Sequence, residues 1–175
     1  MRNMLRTASA TLLLALATTS YGAADFSACT QFFANGKPPV VAPQPTNRAL
    51  CYFAFAILHS GQSKTPVFVA EKLNRASVAD AKEKRTNKFF ADARLRSSER
   101  AVLEDYKGSG FDRGHMAPAA DMPTAQAMAQ SFSLANVVPQ APEHNRGVWA
   151  KSVEMATRKY VARASGDVFV PPVPI

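Results

Sequence analysis

Apolar positions in this chain gather into a few dense runs separated by long polar stretches, and the runs assign the elements. Leu50–Leu58 (LCYFAFAIL) is apolar and aromatic almost throughout. Thr65–Leu73 (TPVFVAEKL) is a second such run, and His59-Ser60-Gly61-Gln62 between them reads as a turn. Two β-prone runs joined by a short polar turn predict an antiparallel hairpin. Ser77–Glu99 is polar and charged and reads as short helical or irregular surface, with Lys82-Glu83-Lys84-Arg85 as a solvated face. Ser98, placed before Glu99, caps a predicted helical turn within Ser97–Asp105. Phe111–His115 follows a Gly-Ser-Gly turn. Pro123 or Thr124 opens a short amphipathic helix that runs to about Phe132, and Leu134–Pro139 is a short buried segment ended by proline. From Asn145 to about Arg163 the pattern is helical, with Trp149, Val153, Ala156 and Tyr160 at spacings of four, three and four marking one face. Gly166 ends that helix and Asp167–Val170 begins a strand. A hairpin, helices and a late strand, without internal repeats, predict an α+β fold.

The N-terminus changes this picture. Residues 1–24 carry Arg2 and Arg6, then the short apolar run Ala10–Thr18, then the small residues Ser20, Gly22, Ala23 and Ala24. That order is expected of a secretory signal peptide, and the run is too short to span a bilayer. The protein is therefore expected to be exported, to the periplasm or beyond the cell, with no membrane contact after signal cleavage. Residues 25–47, rich in Pro, Asn, Gly and Gln, read as an irregular arm, and residues 48–175 as the functional domain. The only two cysteines, Cys29 and Cys51, lie beyond the leader. Export favours a disulfide between them, with two buried free thiols as the other reading. The formal charge is +8, and loss of Arg2 and Arg6 leaves +6, a balance that suits a polyanionic partner.

The densest chemistry lies in Gly108–Met122 (GSGFDRGHMAPAADM). Hydrolysis of a phosphodiester needs an activated water, charge compensation at phosphorus and help for the leaving oxygen. A neutral imidazole near pH 7 suits the first need, which nominates His115. Arginine matches a phosphate oxygen, which nominates Arg113. Gly114 allows close backbone approach, and Asp112 can orient a neighbour by accepting hydrogen bonds. Asn145, at the start of the last helix, either offers a hard neutral oxygen to a hydrated Mg²⁺ or simply caps the helix. The three histidines, His59, His115 and His144, are too scattered for a structural zinc site.

Three motifs in order, D-Y-K-G-S-G-F-D-R-G-H-M-A-P at Asp105–Pro118, S-L-A-N-V-V-P-Q at Ser133–Gln140 and N-R-G-V-W at Asn145–Trp149, resemble the DNA/RNA non-specific endonuclease family, which includes the secreted Serratia nuclease and mitochondrial endonuclease G. The resemblance covers roughly Leu50–Val170. It implies a ββα-metal (His-Me finger) fold with an antiparallel sheet and flanking helices. It also implies a Mg²⁺-dependent nuclease, with Mn²⁺ as the other ion, acting on both DNA and RNA and leaving a 5′ phosphate. His115 matches the general base, Asn145 the direct protein ligand of the metal, and Arg113 the phosphate-contacting arginine. Asn136 matches an asparagine supporting the reacting centre, and Arg85 an upstream arginine of the site. The reading allows a homodimer.

Two departures set up further expectations. The family places a glutamate four residues after the tryptophan; here Val153 stands there and Glu154 comes one later. On a regular α-helix Asn145 and Glu154 would point to opposite sides, so Glu154 joins the site only through a bulge or local distortion. The chain also closes on Pro171-Pro172-Val173-Pro174-Ile175 where relatives continue with Thr-Gly-Pro and further strands, so a C-terminally truncated domain is expected. The alternative function is then an inactive nucleic-acid-binding remnant of the family.

Overall fold

The structure, a computed structural model, describes residues 24–174, so the expected leader, apart from Ala24, lies outside the described residues. A four-stranded antiparallel sheet forms the back of the molecule, in the order β1 (Asn47–Cys51), β2 (Phe55–Ser60), β3 (Thr65–Leu73), β6 (Val168–Val170). The expected hairpin is β2–β3, with Ile57 opposite Val69 and a bulge at Leu58/His59. The apolar run Leu50–Leu58 is not one strand, however. The chain reverses at Tyr52–Ala54, where Tyr52 N–H donates to Phe55 C=O at 2.9 Å, and the run supplies the end of β1 and most of β2. Period-2 patterning is lost in β2 because both of its faces are buried. Phe55 and Ile57 point into the main core with Val69, Met122 and Phe132. Ala56 and Leu58 point the other way, against Phe68 and the aromatic residues Phe26, Phe32 and Phe33 of the N-terminal arm.

That arm is irregular, as its composition suggests, with Phe26, Cys29, Phe32 and Phe33 packed and most of residues 34–45 exposed. Short 3₁₀ turns over Ser27–Phe32 and Ala34–Gly36 fold it onto the sheet, and a disulfide joins Cys29 to Cys51 at the end of β1. His59, expected in a turn, lies inside β2. It is fully buried, with Nε2 2.7 Å from the Glu99 carbonyl. In the polar stretch after β3, Asn74 and Ser77 cap each other's backbone and start α1 (Arg75–Asp80), after which residues 81–89 run irregularly.

The front of the molecule is a ββα unit. β4 (Asp112–His115) pairs antiparallel with β5 (Val137–Gln140), Asp112 opposite Gln140 and His115 opposite Val137. Between them lies α2 (Ala125–Ser131), capped by Thr124 as its sequence indicates. The segment expected to end at Pro139 continues to Gln140, because Pro139 sits on a two-stranded sheet where its missing N–H breaks little. After β5 comes a helix in two parts, a π-helical segment His144–Glu154 and the α-helix α3 (Met155–Val161).

The face expected inward on this helix is not the one observed. Val153 and Tyr160 are exposed, whereas Trp149, Glu154 and Arg158 are partly buried and Val161 is fully so. The cause is the π winding. Hydrogen bonds from i to i+5 make each turn wider, so each residue advances less than the roughly 100° of an α-helix. The inward stripe therefore moves from Val153 to Glu154.

Candidate active site

His115 ends β4 on the strand's buried side, and its ring packs with two phenyl groups in a three-ring cluster, the phenyls themselves 4.9 Å apart between centroids. Phe132 meets it edge-on at 5.0 Å between centroids, and Phe89 lies tilted at 5.4 Å. The ring is 6% exposed, and its Nε2 is buried without a hydrogen-bond partner. Burial, with help from the Arg85 and Arg113 guanidinium groups, pushes its pKa down to about 3, so the imidazole is neutral at physiological pH. No carboxylate contributes to that shift.

Arg113 stands two residues before His115, and side chains two apart on a strand share a face. Its guanidinium lies 4.3 Å from the centre of the Phe89 ring that also packs on His115. Arg85 arrives from the irregular stretch before Phe89. Its guanidinium lies 5.0 Å from the Phe132 ring centre, and its Nε donates to Asn87 Oδ1 at 2.7 Å. The structure thus brings both guanidinium groups close enough to act on the imidazole, each over one of the phenyl rings that pack on it.

Asn145 lies in the first turn of the π segment. Its Nδ2 donates to Asp112 Oδ2 at 2.9 Å, and Arg146 donates to the same carboxylate through Nε at 2.8 Å and Nη2 at 2.7 Å. These bonds, the Arg146 pair foremost, lower the Asp112 pKa, so the carboxylate stays charged. With its N–H committed to Asp112, the Asn145 Oδ1 is left as an available neutral acceptor. Asp112 and His115 are the two ends of one four-residue strand, so their backbones stand roughly 10 Å apart, with Asn145 held at the Asp112 end. The orienting role of Asp112 expected from sequence is matched by these contacts.

Asn136 is fully buried and wholly engaged with backbone. Its Oδ1 accepts from Ala117 N–H at 2.9 Å, and its Nδ2 donates to the Ala117 and Ser131 carbonyls, both at 2.9 Å. It pins the loop that leaves His115 and has no polar atom free for a substrate. Gly114 also differs from expectation. A Cβ there would collide with Gln140 Oε1, so the glycine makes room for the Gln140 side chain across the two-stranded sheet, not for a ligand.

Glu154 faces inward, partly buried, and burial raises its pKa. Arg158, Arg85 and the Trp149 indole N–H oppose that rise, although the indole makes no hydrogen bond of full geometry. The expected distortion is present, and Arg85 is the charge shared by Glu154 and His115. Behind the site lies an acidic group that sequence reasoning misses. Glu71 on β3 is 1% exposed, and burial, with Asp121 and Glu154 nearby, pushes its pKa well up. Asp121 forms an ion pair with Arg158 at 3.2 Å. Glu71 is hidden because E-K-L at the end of a strand reads as an emerging surface segment.

Among the described residues, no three His, Cys, Asp or Glu side chains cluster as a metal cage. A single amide oxygen backed by a carboxylate instead fits a hard cation that keeps most of its waters.

Residues 37–175 match the family model for DNA/RNA non-specific endonucleases. The chain belongs to that family. It is 37% identical over 129 residues to the mitochondrial nuclease EXOG of Xenopus laevis, covering 73% of this chain and 36% of the relative. It is 34% identical over 155 residues to mitochondrial Nuclease 1 of Schizosaccharomyces pombe, covering 84% and 46%. To human mitochondrial endonuclease G it is 33% identical over 124 residues, covering 67% and 42%. The chain thus spans less than half the length of these relatives. A solved structure of an EndoG/EndoGI complex shares the fold at a TM-score of 0.70 and 24% identity, over 91% of this chain and 61% of that one. The antiparallel α+β architecture of the endonuclease family is thereby established.

These relatives also correct the expected destination. They are named as mitochondrial nucleases, which speaks against the expected periplasmic or secreted destination. The leader's basic, acid-free start is common to both targeting routes, while its short apolar run and small-residue close are what the export expectation rests on. No helix among the described residues is long and apolar enough to cross a membrane.

Proposed function

We propose that this chain hydrolyses phosphodiester bonds in DNA and RNA without sequence preference, as a divalent-metal-dependent endonuclease. The observation that carries the reading is His115: a buried, neutral imidazole with an unpartnered nitrogen, flanked by two arginines and joined through one strand to an oriented asparagine amide. Arg113 and Arg85 neutralise the phosphate, whose negative charge in turn offsets their depression of the imidazole pKa. His115 then takes a proton from the attacking water as the phosphorus–oxygen bond to the 3′ oxygen breaks, leaving a 5′ phosphate. Asn145 is the residue that would hold Mg²⁺, or Mn²⁺ in its place, with Asp112 fixing the amide so that oxygen faces the ion. The bound cation would neutralise charge developing on phosphorus and on the leaving oxygen. Asn136 and Glu154 are positioning residues, one for the loop after His115 and the other through Arg85. Contacts to phosphate carry no base information, which supports broad specificity.

The test is incubation of the purified chain with supercoiled plasmid and with RNA, with and without Mg²⁺. Mg²⁺-dependent nicking that is lost in His115→Ala supports the proposal. Salt-sensitive binding without cleavage supports the inactive-remnant reading instead, and equal cutting by His115→Ala overturns the role given to the imidazole.

A further inference from the structure

Phe111 is a large apolar side chain left 53% exposed beside the candidate active site. Its position is set by the turn before it. Gly108 and Gly110 adopt φ values of +71° and +79°, a backbone region that disfavours side chains, and Ser109 Oγ accepts from the Phe111 N–H at 3.2 Å. Phe111, Arg113 and His115 are spaced at intervals of two, so an extended chain sends all three side chains to one face at intervals of roughly 6–7 Å. Phe111 also lines a cavity of about 340 Å³ with Tyr106, Leu103, Lys107, Glu104 and Arg113. Arg113 lines this cavity and also lies over the Phe89 ring that packs on His115, so the cavity adjoins the site.

The lining suits a flat, uncharged heteroaromatic ring. Phe111 and Leu103 offer apolar surface. Tyr106, whose phenol burial pushes up to about 12, stays neutral. Of the charged lining groups, Asp112 is already paired with Arg146, and Lys107 and Arg113 can hold a backbone passing the cavity. Glu104 would repel a phosphate inside the cavity but tolerates a base.

We infer that Phe111 is a stacking platform for a nucleobase of the bound strand, next to the phosphate held at Arg113. The inference rests on the nuclease reading above and adds to it a subsite for single-stranded or locally unstacked nucleic acid. Stacking on one aromatic ring is sequence-tolerant because every base has a π-face.

The test measures binding of the whole chain to a labelled single-stranded oligonucleotide by fluorescence anisotropy, in EDTA so that no cutting intervenes. A matched oligonucleotide of abasic residues serves as the second probe. Phe111→Leu should weaken binding to the intact strand about tenfold, within the range for loss of one base stack, and leave abasic binding unchanged. Phe111→Trp should keep the affinity and show indole fluorescence quenching with the intact strand only; it also serves if the leucine variant fails to fold. Equal loss on both probes, or no loss on either, overturns the stacking role while leaving the nuclease reading intact. A wild-type chain that binds neither probe overturns both.

Discussion

Removing the Asp112 carboxylate separates orientation from bulk stability. Asp112→Ala deletes three hydrogen bonds, one from Asn145 and two from Arg146. The Arg146 side chain is 72% exposed, so its ion pair is screened and worth only about 0–1 kcal/mol. The bond from Asn145 is charge-assisted and only partly exposed, worth about 1.5 kcal/mol at the low end of its class. The total loss, about 1.5–2.5 kcal/mol, should lower the melting temperature by roughly 3–10 °C for a domain of this size. The effect on function should be much larger. Freed from Asp112, the Asn145 amide can rotate and present nitrogen where oxygen is needed, and loss of such an outer partner costs about 10–100-fold in metal affinity or activity. Nicking rates measured across a Mg²⁺ titration, alongside a thermal melt, read both quantities. Asp112→Asn should fall between wild type and alanine, since it keeps one acceptor but not the charge. If Asp112→Ala cuts with the wild-type Mg²⁺ midpoint, Asp112 does not orient a metal ligand.

Four other perturbations have defined outcomes. Deleting Val153 should convert the π segment towards an α-helix with the glutamate eight residues after Asn145, and so retain activity; a deletion that abolishes folding or cutting would count against the winding as the means of bringing Glu154 inward. Asn136→Ala orphans three buried backbone groups and should destabilise by about 3 kcal/mol or more in urea unfolding. The His115 pKa is lowered in the fold, so the unfolded chain takes up its proton first as pH falls below about 6.5, and stability declines from there towards about pH 3. At pH 4.5 this amounts to about 2–3 kcal/mol, and His115→Gln should show a correspondingly shallower loss between pH 7 and 4.5 in chemical denaturation. Glu71 has the opposite linkage. Its raised pKa favours the fold in acid and costs stability as pH rises above the ordinary glutamate range, so Glu71→Gln should stabilise at pH 7 and lose that advantage below about pH 4.5.

Much of the site is legible in the sequence because it is local. Asp112, Arg113 and His115 sit in one strand, and the hairpin and the Thr124 cap arise from neighbouring residues. What resists reading depends on distant partners. The strand break at Tyr52–Ala54 lies in an apolar run because sheet and arm bury both faces, and burial on two sides erases alternation. The inward helix face differs by one residue from the expected one because residue spacing alone implies α-helical winding; Trp149 fits either register and Val153 only the wrong one. Gly114 looks like an opening for substrate until the fold brings Gln140, 26 positions away, to fill it. The destination fails for another reason: charge and a short apolar run do not separate one targeting route from another.

The surroundings of His115 also govern how a catalytic cycle would close. Phenyl walls and two guanidinium groups leave an imidazolium with no anion of its own to rest beside. On the proposed mechanism, once the cleaved strand and its phosphate depart, the captured proton would sit in a hostile setting and leave to solvent, resetting the imidazole without a dedicated relay.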